Sequence, residues 1–430
     1  MRTRKKIDAL IIVFLMVSSL LFFYRAGYIY RPPSDEKKEV IPDTKPPDHT
    51  PTVEETLILP VSFIPAYRRD VSPEDEGVHF NKLRVNREWW YFSAVFNDKD
   101  SELYGWTVQI SFNHMARSDL LGTGKPDLLL VTLLSPDGVS YGGIANKKRN
   151  LGVINQGTLI ANSPGVKLQF EDSWAEGSYP KWHIHVKDGD IDADHDIVID
   201  LDYQAKSLPL WILGNRAFEK SESTLASYII LGCMVTGRIQ IDQRSYSVKG
   251  VGHHEHTWTP LSTSRMTVNG WDWLCLTLDN GWVIHISNYY ITPQALTEKT
   301  TLLNPLGTVI LTTDRGETIL ELKNLDVRIT GEDTRVFAFV NMPTGFSITA
   351  KPSLNPLYAI SQSLLLGTGV KLTLDVNLGS SYNKMWRFPT YLGMKTSICN
   401  TTGSISWSNE ESYDINLKGV GVAWSMRALI

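Results

Sequence analysis

From about Leu57 onward, the sequence consists of short hydrophobic or alternating segments separated by turn residues, and helical periodicity is hard to find. Strict alternation puts successive side chains on opposite faces of a strand. Many short strands divided by Gly, Asn and Asp turns predict an all-β fold of antiparallel barrels or sandwiches. One short helix is predicted over residues 354–366. The predicted strands are residues 89–96, 106–112, 128–134, 167–170, 182–186, 197–201, 238–241, 273–278, 282–286, 309–313, 336–339 and 370–376.

Two Trp-rich segments have the same arrangement, which indicates an internal repeat. Residues 88–91 (Glu-Trp-Trp-Tyr) and residues 270–273 (Gly-Trp-Asp-Trp) each begin a strand. In both cases a turn follows, and a second alternating strand begins with Gly-Trp and ends in Ile-Ser. A duplicated unit predicts two similar β-domains in tandem. We assign these domains to residues 57–265 and 266–430.

The first 56 residues differ in character from the remainder. Basic residues at the N-terminus precede an apolar run over 9–24, which spans roughly 24 Å as a helix and is slightly shorter than a bilayer core. We predict that residues 7–30 anchor the chain in the cell membrane by a single pass, with the globular part outside the cytoplasm. The alternative is a signal segment that is cleaved, which gives a secreted protein. Residues 31–56 are rich in Pro and predict an extended linker.

Composition excludes several classes of protein. The net charge is −4 and the isoelectric point about 6.2, so no basic face is available for a nucleic-acid partner. Three cysteines, Cys233, Cys275 and Cys399, exclude a disulfide-stapled scaffold and Cys-x-x-Cys metal sites. No phosphate-binding loop or dinucleotide motif is present, and we expect no cofactor. The 13 Trp require a large core or an apolar cavity.

The densest group of ionisable side chains is Gly-His-His-Glu-His-Thr-Trp at residues 252–258. Along a strand, His253 and Glu255 would share one face, and His254 and His256 the other. A His beside a carboxylate can exchange protons near neutral pH. His-x-His on a strand can instead supply two metal ligands, and the third interpretation is a hydrogen-bonded structural corner.

Glu88 is the second candidate acid, because it precedes three aromatic residues. Desolvation by these rings would raise the pKa of its carboxyl and suit it to donate a proton. The alternative is a surface residue that starts a strand whose aromatic side chains fill the core. Asp272, which lies between two Trp, has the same two interpretations. A secreted hydrolase is disfavoured, because Gly-x-Ser-x-Gly at 138–142 lacks a following helix.

The order of these segments resembles the double lipocalin-like family that includes hydroxyneurosporene synthase, a carotenoid hydratase, and AttH. The resemblance covers roughly residues 75–290. It implies two tandem lipocalin-like β-barrels with an apolar ligand cavity. It also implies hydration of a terminal alkene of a linear carotenoid, or a related cyclisation. The matching segments are residues 88–93, Trp174, Trp182, residues 236–239, 248–258, 270–273 and 278–281.

The resemblance also suggests roles for residues of the His-rich motif. In the family's motif an aromatic residue and an Asp precede a His. Here Glu255 takes the place of the Asp and His256 that of the His. His253 or His254 takes the place of the aromatic residue, and Tyr228 corresponds to a further aromatic upstream.

We therefore expect a protein that acts on or binds a hydrophobic isoprenoid or lipid-like molecule. As an enzyme, it would protonate an alkene through Glu255 with His254 or His256, and aromatic faces would stabilise the cation. Glu88 is a further catalytic candidate, and no metal is expected. The alternative is a non-catalytic lipid carrier of the cell envelope, for which Trp-lined barrel mouths are equally suitable. The expected ligand-binding residues are Trp89, Trp90, Tyr91, Tyr228, His253, Trp258, Trp271 and Trp273.

Overall fold

The alternating segments form two curled antiparallel sheets in a computed structural model of the chain. This confirms the predicted all-β class and is consistent with two tandem lipocalin-like barrels. All the described residues belong to one unit, Ile58–Ile430. The structure describes residues 70–81, 85–115, 127–145, 159–187, 192, 194–213, 226–260, 268–291, 307–316, 318–322, 324–333, 341–351, 370–386, 391–408 and 412–429.

The N-terminal sheet contains twelve strands. Its order is β4-β3-β2-β1-β12-β11-β9-β8-β7-β6-β5, and β10 pairs with β11. The first strand therefore lies beside the last. The strands are β1 (Val85–Phe96), β2 (Thr107–Met115), β3 (Leu128–Leu134), β4 (Ser140–Ala145), β5 (Leu159–Ala161), β6 (Val166–Phe170), β7 (Ser173–Ser178), β8 (Lys181–Lys187), β9 (Ile197–Gln204), β10 (Leu210–Leu213), β11 (Ala226–Ile241) and β12 (Arg244–Pro260).

The C-terminal sheet contains nine strands in the order β16-β15-β14-β13-β21-β20-β19-β18-β17. Here too the first strand, β13, lies beside the last, β21. The two Trp-rich segments of the predicted repeat occupy equivalent places, since each begins a hairpin in the middle of its sheet. The strands are β13 (Val268–Leu278), β14 (Val283–Ile291), β15 (Gly307–Thr312), β16 (Thr318–Leu322), β17 (Asn324–Asp333), β18 (Met342–Lys351), β19 (Lys371–Trp386), β20 (Tyr391–Ser408) and β21 (Ser412–Leu429).

Strand β12 passes through the whole His-rich motif and pairs with β1 on one side and β11 on the other. Gly252 allows the close approach to β1, because a Cβ at this position would lie 2.2 Å from the carbonyl oxygen of Ser93. It would also lie within 3 Å of the side chains of Val235 and Tyr203. Real Cβ atoms do not approach other atoms so closely. The register of the motif against β1 is therefore tightly constrained.

The two faces of the N-terminal sheet have different neighbours. One face forms a large apolar core inside the curl of the sheet, with Trp90, Phe92 and Trp258 among its fully buried members. The other face packs against the C-terminal sheet, where Ile229 and Leu231 belong to the same buried cluster as Cys275, Ile310 and Val422. Burial of apolar side chains on both faces stabilises the sheet and fixes the orientation of each strand.

A short segment before β1 covers the inner core of the N-terminal sheet. Its helix, α1 (Pro73–Glu76), begins with a capping box in which Ser72 and Asp75 exchange hydrogen bonds. The Glu76 carboxyl accepts hydrogen bonds from Trp182 Nε1 at 2.9 Å and from the Tyr179 backbone N at 3.0 Å. Trp90 Nε1 donates to the Glu76 carbonyl oxygen at 2.9 Å. The segment is thus bound both to β1 and to the β7–β8 hairpin.

Several predictions lie outside the described residues. These are the membrane segment over 7–30, the Pro-rich linker, the strand over 336–339 and the helix over 354–366. In the part of the chain that the structure describes, no helix has the length and apolar character needed to cross a membrane.

Substitution of Glu76 should change how stability depends on pH. Burial raises the pKa of this carboxyl from 4.5 to about 7, against the opposing effect of its hydrogen bonds. Between these pH values the unfolded chain ionises and the folded one does not, so rising pH destabilises the protein. Relative to Glu76→Gln, we expect the wild type to lose on the order of 3 kcal/mol of unfolding free energy between pH 4.5 and 7. Denaturant unfolding at a series of pH values measures this, with the exposed Glu74→Gln as control. Parallel curves for wild type and Glu76→Gln would contradict it.

Candidate functional site

A cleft lies between the two sheets, and its walls carry side chains from both halves of the sequence. The cavity volume between the walls is about 70 Å³. Rings from the two sheets face each other across it, since Trp89 and Trp271 are nearly parallel with their centroids 6.5 Å apart. The residues of the walls include Arg87, Trp89, Tyr91, His253 and Glu255 from the N-terminal sheet, and Trp271, Trp273, Cys275, His285 and Trp424 from the C-terminal sheet.

Glu255 is the central acid of this cleft. It is only 2% exposed, and its Oε1 accepts hydrogen bonds from Trp89 Nε1 at 2.8 Å and Thr257 Oγ1 at 2.9 Å. Burial raises the pKa of Glu255 to about 8, and these two hydrogen bonds oppose the shift. The carboxyl is therefore largely protonated at neutral pH. Because Oε1 accepts two hydrogen bonds, the acid proton belongs on Oε2.

His253 is the histidine that shares a face with Glu255. Its Nδ1 lies 2.7 Å from Ser93 Oγ, and its ring is 5.3 Å from that of Tyr91. Burial lowers the pKa of His253 well below its ordinary value, and the neighbouring His285 adds to this effect. His253 is thus a neutral imidazole that can accept a proton from a strongly acidic partner.

The structure does not bring Glu255 together with His254 or His256, the two histidines of the expected partnership. Strand alternation turns both histidines to the other face, where they pack inside the N-terminal core. The ring of His254 stacks on Phe92, with centroids 4.3 Å apart, and that of His256 stacks on Trp90 at 4.5 Å. Among the predicted ligand-binding residues, Trp90, Tyr228 and Trp258 lie in this core and are fully buried, whereas Trp89, Tyr91, His253, Trp271 and Trp273 line the cleft.

Glu88 is fully buried, so it is not the surface residue of the alternative interpretation, and it does not have the raised pKa of a general acid either. Burial acts to raise its pKa, but hydrogen bonds from His256 and His79 and their charges lower it overall. His256 Nε2 lies 2.9 Å and His79 Nδ1 3.0 Å from Glu88 Oε1. Backbone N–H groups of His79 and Phe80 also donate to this carboxylate. Glu88 therefore holds the covering segment onto β1.

The partners of His256 define its protonation. Its Nε2 faces the Glu88 carboxylate, and its Nδ1 lies 3.0 Å from the Asp75 carbonyl oxygen. Both partners are acceptors, so each ring nitrogen must carry a hydrogen. Burial lowers the pKa of His256, and the charge and hydrogen bond of Glu88 oppose this. Although the net effect lowers the pKa, we assign an imidazolium–carboxylate pair on the geometry, because a neutral ring would leave one lone pair facing an oxygen at 2.9 or 3.0 Å.

The same three residues are the candidate metal ligands among the described residues. Donor atoms of His79, Glu88 and His256 lie within 4.8 Å of one another. The Glu88 carboxylate already accepts hydrogen bonds from both rings and from two backbone N–H groups. The donor set matches a two-His, one-carboxylate site. The hydrogen bonds that these three residues make match the structural interpretation of the His-rich motif, a hydrogen-bonded polar corner.

Sequence reasoning missed several groups that the structure brings to these sites, of which three bear on their chemistry. His285 and Trp424 line the cleft, and His79 contacts Glu88. His285 lies in the second strand of the predicted hairpin, two residues before the Ser that ends it. Alternation counted from Trp282 could have predicted the face of the strand on which His285 lies. Trp424 follows two Val residues at a spacing of two, which is a signal for one face of a strand. His79 precedes β1 and gives no comparable signal.

Loss of the Glu88 charge should destabilise the protein strongly. Glu88→Gln removes the partner of a buried imidazolium and turns an amide N–H₂ toward backbone donors, so we expect a loss of about 3 kcal/mol at pH 7. Because the folded pKa is lowered, the advantage of the wild type is present above pH 4.5 and disappears as pH falls through the folded value. Denaturant unfolding provides the measurement. As control, Asp326→Asn breaks an exposed pair with Arg328 and should cost less than about 1 kcal/mol. Equal effects of the two substitutions would refute the buried pair.

Two solved structures share this fold at low sequence identity. One, assigned to AttH from Nitrosomonas europaea, has 13% identity and a TM-score of 0.53, and the alignment covers 83% of this chain and 97% of that one. The other, kievitone hydratase from Nectria haematococca, has 10% identity and a TM-score of 0.53, with 86% and 94% covered. Among curated proteins, none matches the sequence.

A family comparison extends the same relationship to the sequence. The AttH-like family matches residues 66–354, which include the N-terminal sheet, the His-rich motif and the first strands of the C-terminal sheet. The match covers more than half of the chain. The protein therefore belongs to the AttH-like family.

Proposed function

We propose that the protein catalyses the acid-assisted hydration or cyclisation of an alkene in a hydrophobic isoprenoid or polyketide-like molecule bound in the cleft. One observation carries this proposal: Glu255 is a buried, largely protonated carboxyl in a cleft with aromatic walls. A neutral carboxylic acid can donate a proton, and an apolar site strengthens its interaction with developing charge. The hydratase among the structural neighbours supports the fold as a scaffold for such chemistry.

The first step transfers the proton of Glu255 Oε2 to one alkene carbon, whose π electrons form the new C–H bond. The adjacent carbon becomes cationic, and Glu255 becomes a carboxylate. The faces of Trp89, Trp271 and Trp273 stabilise that cation through their negative π surfaces. In hydration, water adds to the cation through an oxygen lone pair. In cyclisation, the π electrons of a second alkene of the same molecule form the new C–C bond and leave its other carbon cationic. A carbon beside that cation then gives up a proton to the Glu255 carboxylate or to His253, and its C–H electrons form a new double bond.

Proton return completes the cycle. The protonated product of water addition is strongly acidic, so neutral His253 can take its excess proton even with a lowered pKa. Glu255 carboxylate then recovers a proton from His253 or from solvent. His253 is the suitable relay because it carries a basic nitrogen on the same face of β12, two positions from Glu255. His254 and His256 take no part in this cycle.

Two finer assignments belong to the same proposal. The resemblance to hydroxyneurosporene synthase supplies a specific candidate reaction, the addition of water to the terminal alkene of a linear carotenoid. The basic N-terminus and apolar run support anchoring through residues 7–30 in the cell membrane, with the globular part on the extracytoplasmic side. Cleavage after this segment would instead give a secreted protein. Neither assignment needs a cofactor or a nucleic-acid partner.

The alternative function is a non-catalytic carrier of a lipid or isoprenoid in the cell envelope. The aromatic and apolar walls favour it, because rings such as Trp89 and Trp271 bind hydrocarbon without any chemistry. In a carrier, Glu255 would serve only as a polar contact.

Incorporation of deuterium separates the two functions. The purified full-length protein is incubated in heavy water with linear isoprenoids, among them squalene and geranylgeraniol, and products are analysed by mass spectrometry. Protonation of an alkene places deuterium on carbon in both hydration and cyclisation, and we expect Glu255→Gln to lower this rate by 10²-fold or more. The exposed Glu176→Gln is the matched control. Unchanged ligand that co-purifies with both proteins, with no deuterium incorporation, would support the carrier.

The pH profile of the reaction should report the acid form of Glu255. Because its pKa is about 8, the proton donor is present below this value and is lost above it. We expect the turnover rate to be level near neutral pH and to fall tenfold per pH unit above about 8. Initial rates from pH 6 to 10 on any substrate found above provide the measurement. A rate that rises with pH would identify Glu255 as a base and overturn its role as acid.

A further inference from the structure

The wall of the cleft opposite Glu255 carries polar atoms that the proposed proton transfer does not use. His285 Nε2 and Trp424 Nε1 are buried and have no hydrogen-bond partner among the described residues. Both residues line the cleft, on strands β14 and β21 on either side of β13. A buried polar atom without a partner costs free energy, so such atoms in a cleft indicate the position of a ligand group.

Both atoms are hydrogen-bond donors. The indole N–H of Trp424 can only donate. His285 is neutral, because burial lowers its pKa to about 3. Its Nδ1 lies 4.0 Å from Cys275 Sγ, and burial raises the pKa of this thiol well above its ordinary value, so the sulfur keeps its hydrogen and can donate weakly to Nδ1. We assign the remaining hydrogen of the neutral His285 ring to Nε2, so that Nδ1 accepts this weak hydrogen bond.

The two donors lie close to Tyr91 and His253 of the N-terminal wall. The ring of Tyr91 is 5.2 Å from that of Trp424 and 5.3 Å from that of His253. His285 is close enough to His253 to disfavour its cationic form. Tyr91 pairs with Glu255 across β1 and β12, and His253 is two residues from Glu255 on β12. The donors therefore lie in the same part of the cleft as the acid.

We propose that Trp424 and His285 bind an acceptor oxygen of the ligand, a carbonyl or an ether or hydroxyl oxygen, in the same cleft as the alkene that Glu255 protonates. The ligand is then an oxygenated isoprenoid or polyketide rather than a pure hydrocarbon, and the C-terminal sheet selects it by this oxygen. The inference rests on the proposed function for the position of the alkene. The binding of the oxygen itself does not depend on turnover.

A matched pair of probes tests the inference by binding alone. Farnesylacetone carries a carbonyl on a linear isoprenoid chain, and its methylene analogue replaces the carbonyl oxygen with a CH₂ group. Titration of the full-length protein, followed by tryptophan fluorescence or calorimetry, gives both affinities. We expect the ketone to bind about tenfold more tightly, as one or two hydrogen bonds to neutral donors allow. Equal affinities for the two probes in the wild type would overturn the proposal without any variant.

Variants then test whether Trp424 and His285 are the source of the preference for the ketone. Trp424→Phe and His285→Phe should each reduce the preference for the ketone, and the double variant should abolish it, with little change for the hydrocarbon. Trp407→Phe is the matched control, because Trp407 is buried in the same sheet but is not part of the cleft walls. A preference that survives in the double variant would also overturn the proposal. If the preference behaves as expected but no deuterium is incorporated from heavy water, the donor pair stands and the proposed reaction fails.

Discussion

The pairing of β1 with β12 is the interaction on which the rest of the molecule depends. It joins the first and last strands of the N-terminal sheet and sets Tyr91 opposite Glu255 and Trp90 opposite His256. Because side chains alternate along both strands, this single pairing produces two environments. One is the cleft that carries Glu255, and the other is the buried corner that carries Glu88 and His256. Both sites would be lost together if this pair did not form.

The two glutamates show how differently these environments act on one functional group. Both carboxyls are almost inaccessible to solvent, yet burial dominates for Glu255 and raises its pKa, whereas donors dominate for Glu88 and lower it. Glu255 has hydrogen bonds from an indole and a hydroxyl, which are neutral. Glu88 has a cationic partner in His256 and backbone N–H groups besides. The charge of the hydrogen-bond partner, rather than the degree of burial, therefore decides whether a buried carboxyl is a protonated acid, as in Glu255, or a structural carboxylate, as in Glu88.

Much of the fold could be predicted from the sequence, because alternation and turn residues are local signals. The Trp-rich hairpins and the division of the His-rich motif into two faces follow from them and agree with the structure. The long strands β20 and β21 were not predicted, since their Gly, Ser and Thr residues weaken the alternation that marks a strand. The site could be predicted only in part. Glu255 was identified by its neighbours in sequence, but its protonation depends on a desolvated cleft that β13 and β21 complete from a distant part of the chain.

The contact of Gly252 with β1 has a consequence for how this motif can change. The close approach fixes the register, and the register decides which residues of 253–256 face the cleft and which face the core. Substitutions can therefore alter the chemistry of one face and leave the other intact. A deletion or insertion of a single residue between Gly252 and Glu255 would do the opposite, because it would exchange the two faces and place the acid in the core. The length of the motif is thus more strictly limited than its composition.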